Sequence, residues 1–261
     1  MKKTFLFLIA LVLILQPNAW CEIKSIPVEY KQGDTVLEGF LAYDDAQAAQ
    51  KRPGVIIVHE WKGLNEYAKT RARKLAELGY VAFAADIYGK GVRPATGEEA
   101  GKIAGVYKND RELTRKRAKA ALDYLSQDEH VDSFKIAAIG YCFGGMVVLE
   151  MARAGFPLSG VVTFHGSLSP KLPPAGAVKS KLLVLHGALD PFVKPEEVAQ
   201  FKAEMKKANA DMRFISYEGA VHSFTNPESG DDPTKGVAYN AKADEASWEE
   251  MKKFFSEIFH S

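Results

Sequence analysis

Cysteine is nearly absent. The chain of 261 residues has two, Cys21 and Cys142, too few for a disulfide framework and without the paired Cys and His that a structural zinc site requires. A basic block is missing as well: 34 Lys and Arg stand against 33 Asp and Glu for a net charge of +1, which leaves no electrostatic footprint for nucleic acid. No apolar run reaches the roughly 20 residues that a membrane-spanning helix needs. Internal repeats, low-complexity tracts and interdomain linkers do not occur. With 47% hydrophobic and 11% aromatic residues, the composition excludes a disordered chain and predicts one sizeable globular domain held by its core.

Residues 1–21 read separately. Lys2 and Lys3 precede an apolar run from Phe5 to Leu15, followed by Pro17 and by Ala19-Trp20-Cys21, the layout of a secretory signal peptide. Cleavage after Cys21 would start the mature domain at Glu22, giving a domain over 22–261 that is exported to the periplasm or the medium. That chain keeps a single thiol, Cys142, and in an oxidising compartment a lone thiol has to be buried or used.

From Ile23 to Tyr43 apolar and polar residues alternate around Lys31-Gln32-Gly33-Asp34, which predicts an antiparallel hairpin. Gly54 to Val58 is continuously apolar and β-branched, as suits a strand buried on both faces of a parallel sheet. A helix capped by Asn65 and ended at Gly79 follows, then a strand at Tyr80–Ala85, a basic helix at about 110–127 and a strand from Lys135 to Gly140. Further strands are expected at Gly160–Phe164, Lys181–His186 and Met212–Tyr217, with a helix from Pro195 to Ala208 between the last two. The final helix carries Trp248, Met251, Phe254, Phe255 and Ile258 at three- and four-residue spacing, an apolar face for the core. This rhythm is α/β: a mostly parallel sheet with helices on both faces and an N-terminal antiparallel hairpin, with its chemistry beyond the carboxyl ends of the strands.

At one such end, Gly140-Tyr141-Cys142-Phe143-Gly144 joins strand to helix in the pattern G-x-C-x-G, a nucleophile elbow with cysteine in place of serine. The turn is too sharp for side chains at Gly140 and Gly144, and the helix N-terminus favours a thiolate. An elbow calls for an acid and then a histidine later in the chain. Asp190 lies beyond the strand at 181–186, and His222 beyond the strand at 212–217. An imidazole would keep the sulfur deprotonated and protonate the leaving group, while the carboxylate would hold the tautomer. In His59-Glu60-Trp61-Lys62-Gly63 the fifth residue is Gly63, not the second histidine of a zinc helix, so no metal is expected. The fold puts the second oxyanion donor in this loop, making the backbone N–H groups of Trp61 and Phe143 the candidates. His59, His165 and His186 are expected to satisfy local hydrogen bonds, and His130 and His260 to be solvated.

These segments, with Asp86-Ile87-Tyr88-Gly89, Gly187-Ala188-Leu189-Asp190-Pro191-Phe192-Val193 and Gly219-Ala220-Val221-His222-Ser223-Phe224, resemble the dienelactone hydrolase family of α/β hydrolases across the whole mature chain. The resemblance implies a Cys142–His222–Asp190 triad. It also implies a thiol-modulating role for Glu60, which would touch the resting thiol and swing away as substrate binds. It points to Tyr88, Lys90, Arg93 and Asn226 as substrate-binding candidates. Members that act on the namesake lactone grip its carboxylate with arginines; here Asn226 stands where one would fall and Lys90 near the other, with Arg93 three residues on. An amide gives no bidentate charged grip, so the natural substrate is expected to be another small ester or lactone.

The expectation is therefore an exported, cofactor-free hydrolase acting through a thioester on a small-molecule ester or lactone, with no nucleic-acid partner and no oligomeric state legible. The rival from another class is a binding or redox-sensing protein that uses Cys142 as a thiol switch, which would need neither Asp190 nor His222.

Overall fold

The computed structural model describes residues 22–47, 50–172, 174 and 176–260; the leader expected at residues 1–21 lies outside them. Ile23–Gln32 (β1) and Thr35–Asp44 (β2) form the N-terminal hairpin, with Gly33 at φ +55° supplying the conformation that a two-residue turn demands. Six strands follow: Arg52–Val58 (β3), Val81–Ala85 (β4), Val131–Tyr141 (β5), Gly160–Phe164 (β6), Lys181–Gly187 (β7) and Met212–Tyr217 (β8). They form one eight-stranded sheet in the order β1-β2-β4-β3-β5-β6-β7-β8, antiparallel from β1 to β4 and parallel from β4 to β8.

The helices are Glu66–Glu77 (α1), Gly97–Asn109 (α2), Arg111–Ser126 (α3), Phe143–Arg153 (α4), Pro195–Lys207 (α5) and Ala241–Phe259 (α6). Side chains alternate across a strand, and β3 shows what that does here. Ile56 and Val58 pack with Leu122 and Leu125 of α3 and Met146 of α4, whereas Val55 and Ile57 pack with Leu75 of α1 and Phe255 of α6. Each such side chain contributes roughly 1.5–3 kcal/mol of burial, which is why this strand needs an unbroken apolar run. The aromatic face of α6 lies in the core as its spacing predicts, with Tyr80 edge-on to Phe255 at 5.3 Å.

Helix starts follow their caps. Asn65 accepts from Ala68 N, and Asn240 from Ala243 N. The helical stretch between β4 and β5 is two helices, broken at Asp110, which ends α2 and caps α3 by accepting from Leu113 N at 2.8 Å. The loops after β3, β5, β7 and β8 leave the same edge of the sheet and carry the residues that follow.

Candidate active site

Cys142 sits between β5 and α4 with φ 53° and ψ −112°, a strained conformation for a non-glycine residue. The flanking glycines show why the turn closes. A Cβ on Gly140 would lie 2.1 Å from the Gly144 carbonyl oxygen, and one on Gly144 would lie 2.2 Å from the Val58 carbonyl oxygen. Cys142 occupies the N-cap position of α4 without a side-chain cap bond, so the helix presents its first N–H groups toward the site, where negative charge is favoured.

Asp190 and His222 arrive from β7 and β8. His222 Nε2 lies 3.0 Å from Cys142 Sγ, and His222 Nδ1 lies 2.8 Å from Asp190 Oδ2. Asp190 is buried and its other oxygen accepts from Phe192 N at 2.9 Å, which aims the carboxylate. The His222 backbone is pinned by His222 N donating to Gly236 O and by Ala238 N donating to His222 O. Burial works against a charged imidazole here, but the Cys142 sulfur and the hydrogen bond to Asp190 outweigh it and hold His222 well above the usual histidine range.

Glu60 is buried beside this line. Its Oε1 accepts from Ser223 Oγ at 2.8 Å and its Oε2 from Asn226 Nδ2 at 2.6 Å, so the carboxylate faces these two residues while Cys142 Sγ meets His222. Burial pushes the Glu60 carboxyl up, opposed by the two hydrogen bonds and by the charge of His222. His59 donates from Nδ1 to the Glu60 carbonyl at 2.6 Å and accepts at Nε2 from Ile87 N. That carbonyl belongs to the peptide whose N–H is that of Trp61, so His59 sets the direction of this N–H. Tyr88 donates its hydroxyl to the Trp61 carbonyl at 2.9 Å.

A cavity of about 550 Å³ opens over Cys142 and His222, lined among others by Glu60, Trp61, Phe143, Phe192, Val193 and Asn226. Of the substrate-binding candidates, only Asn226 lines it. Lys90 is exposed and ion-paired with Glu29, and Arg93 donates to the Val92 carbonyl at 2.8 Å near the buried Asp86. Lys90 is drawn to β1 by Glu29, and Arg93 is held by acceptors of its own loop, the Gly89 and Val92 carbonyls. Tyr88 acts one step back, through Trp61. His130 is not simply solvated: it stacks on Tyr43 at 4.5 Å and pairs with Asp128. His186 packs its ring against Phe214, and among the described residues the expected hydrogen bond has no partner. Two residues that sequence reasoning passed over stand in the site: Phe192, edge-on to His222 at 5.2 Å, and Ser223, with φ 60°. A polar residue next to the histidine was the only available signal for the second. Among the described residues no group of three or more His, Cys, Asp and Glu is placed to hold a metal ion, and no helix is long and apolar enough to cross a membrane.

The chain is similar to known proteins along most of its length. The sequence profile of the dienelactone hydrolase family matches residues 37–259. The crystal structure of a dienelactone hydrolase-like promiscuous phosphotriesterase from metagenomic libraries is 41% identical, covers 90% of this chain and 98% of its own, and superposes with a TM-score of 0.86. A protein of Aquifex aeolicus provisionally named a carboxymethylenebutenolidase is 26% identical over 236 residues, 87% of this chain and 96% of that one. A dienelactone hydrolase-type structure from Klebsiella pneumoniae, 20% identical, shares the fold with a TM-score of 0.76 over 90% of this chain and 99% of its own.

Proposed function

This chain belongs to the dienelactone hydrolase family and is a carboxylic ester or lactone hydrolase, and from that premise we propose that it works by Cys142–His222–Asp190 nucleophilic catalysis through a thioester. The observation that carries the reading is the position of His222, within 3.0 Å of the Cys142 sulfur on one side and 2.8 Å of Asp190 on the other. In acylation the Cys142 thiolate attacks the carbonyl carbon, and the N–H groups of Trp61 and Phe143 take the oxyanion. The carbon–oxygen bond breaks as His222 Nε2 gives its proton to the leaving oxygen. Water then attacks the thioester, His222 takes its proton, and the thiolate leaves to release the acid.

The substrate we propose is a small ester or lactone without a carboxylate to be gripped. Asn226 spends Nδ2 on Glu60 and Oδ1 on the N–H of Glu228, and the cations that line the cavity, Lys62 and Lys108, are exposed. A solvated ammonium holds a carboxylate weakly. Export by the leader at residues 1–21 is part of the same proposal; mass spectrometry of the secreted protein should find Glu22 at the amino terminus, and an intact leader would refute it.

A second reading is favoured by the solved phosphotriesterase relative: neutral phosphotriesters as side substrates. The thiolate would attack phosphorus, an aryloxide would leave with the proton of His222, and water would cleave the sulfur–phosphorus bond. The deciding assay is pre-steady-state hydrolysis of p-nitrophenyl acetate, a small lactone and a p-nitrophenyl phosphotriester by wild type, Cys142→Ala and His222→Ala. Turnover in wild type with background rates in both variants supports the triad. Turnover that survives Cys142→Ala refutes it, and no turnover with a readily oxidised Cys142 returns the reading to a thiol switch.

A further inference from the structure

One buried imidazole outside the proposed triad touches the backbone of the nucleophile itself. His165 follows β6 with φ 41°. Cys142 N donates to His165 Nδ1 at 3.1 Å as well as to the Phe164 carbonyl at 3.0 Å. An accepting Nδ1 leaves the ring proton on Nε2, which donates to Thr225 Oγ1 at 2.7 Å. The threonine hydroxyl then donates to Tyr67 Oη at 2.6 Å, and the tyrosine hydroxyl turns back to the Thr225 carbonyl at 3.2 Å. Arg71 completes the set, donating from Nε to Tyr67 Oη and from Nη2 to the Thr225 carbonyl at 2.7 Å while paired with Asp244 of α6. Every donor and acceptor in the line has a partner, and each direction follows from the first link.

Thr225 stands three residues after His222 on the same loop, so this line joins the turn that carries the sulfur to the loop that carries the imidazole. Among the described residues four non-glycine residues have positive φ, and three of them are Cys142, His165 and Ser223. Such conformations persist only where neighbours over-determine them; this network holds Cys142 and His165, and the bond to Glu60 holds Ser223. We propose that His165 and Thr225 are positioning residues that tether the nucleophile turn to the His222 loop and thereby set the sulfur-to-imidazole distance. The proposal rests on the triad reading above. His165 has to be neutral to accept from Cys142 N–H, and its ring centroid is 5.3 Å from that of His222. A second cation there would both break the tether and repel the imidazolium. Burial, helped by the His222 charge, holds His165 well below the usual histidine range.

The test uses Thr225→Val, which keeps the shape and removes the hydroxyl, and Thr225→Ser, which restores it, with Cys142→Ala as the control for the triad. Single-turnover acylation by p-nitrophenyl acetate and the pH profile of iodoacetamide alkylation of Cys142 are the readouts. The valine variant is expected to acylate roughly 10- to 100-fold more slowly at unchanged KM, the loss produced by a sub-ångström to one-ångström misplacement. Its alkylation profile is expected to move to higher pH, and serine should recover both. A valine variant that melts earlier but acylates and alkylates as wild type makes the network purely structural and overturns the proposal. Acylation that survives Cys142→Ala overturns the triad instead, so the two failures are distinct. Should the valine variant not fold, Tyr67→Phe removes the next hydroxyl in line: slower acylation supports the tether, and an unchanged rate overturns it.

Discussion

The amide of Asn226 holds the carboxylate of Glu60: Nδ2 donates to Oε2 at 2.6 Å, while Oδ1 of the same side chain accepts from Glu228 N at 3.0 Å. The second bond fixes which end of the amide faces Glu60, so a position expected to meet substrate instead steadies a buried acid of the protein.

That clamp makes Glu60→Gln informative. The glutamine amide can keep both partners, accepting from Asn226 and donating to Ser223, without a buried charge. Glu60 titrates above its unfolded value, so its stabilising share is complete in acid and is lost as pH rises through the folded-state value. Glu60→Gln should therefore be more stable than wild type at neutral pH, by about 1 kcal/mol, as is common when a buried charge is replaced. The advantage should vanish in acid. Thermal melts of both proteins at neutral and acid pH check the sign.

Activity should hold through neutral pH and fall as pH passes about 10, the value at which His222 gives up its proton. The imidazolium is the acid that protonates the leaving oxygen, so losing that proton stops acylation. Asp190→Asn removes one of the contacts that hold the charge. It should move the alkaline limb to lower pH and cut kcat by roughly 10²- to 10⁴-fold. A kcat/KM profile for each protein is the measurement.

The elbow predicts a contrast between glycines. Gly144→Ala would drive a methyl group to 2.2 Å from the Val58 carbonyl, a backbone clash that side-chain motion cannot relieve, and should cost more than about 3 kcal/mol. Gly101→Ala on α2 meets nothing within 4 Å and should be neutral or stabilising by about 0.5–1 kcal/mol. Urea midpoints of the two variants give the comparison directly.

Phe192 is 61% exposed yet edge-on to His222 at the cavity mouth. An exposed phenyl at that point offers apolar contact to the substrate at no cost in core packing. Phe192→Ala should raise KM for a long-chain or aryl ester by roughly 10-fold, about the worth of one lost apolar contact, and leave the acetate nearly unchanged. A KM series over ester length measures this.

What the sequence by itself determined here is whatever depends on local backbone chemistry. The β-branched run of β3, the glycines around Cys142, the cap Asn65 and the order Cys142, Asp190, His222 are all requirements of a few adjacent residues or of one strand end, so they are written locally. Even the aromatic face of α6 follows from spacing alone. Tertiary structure decided the partners. Glu60 and Asn226 are 166 positions apart, and His165 and Thr225 are 60 apart; a carboxylate or an imidazole can bond to many groups, and only the packed loops select one. Lys90 and Arg93 lie outside the cavity for the same reason, since Glu29 of β1 takes the one and the carbonyls of Gly89 and Val92 take the other.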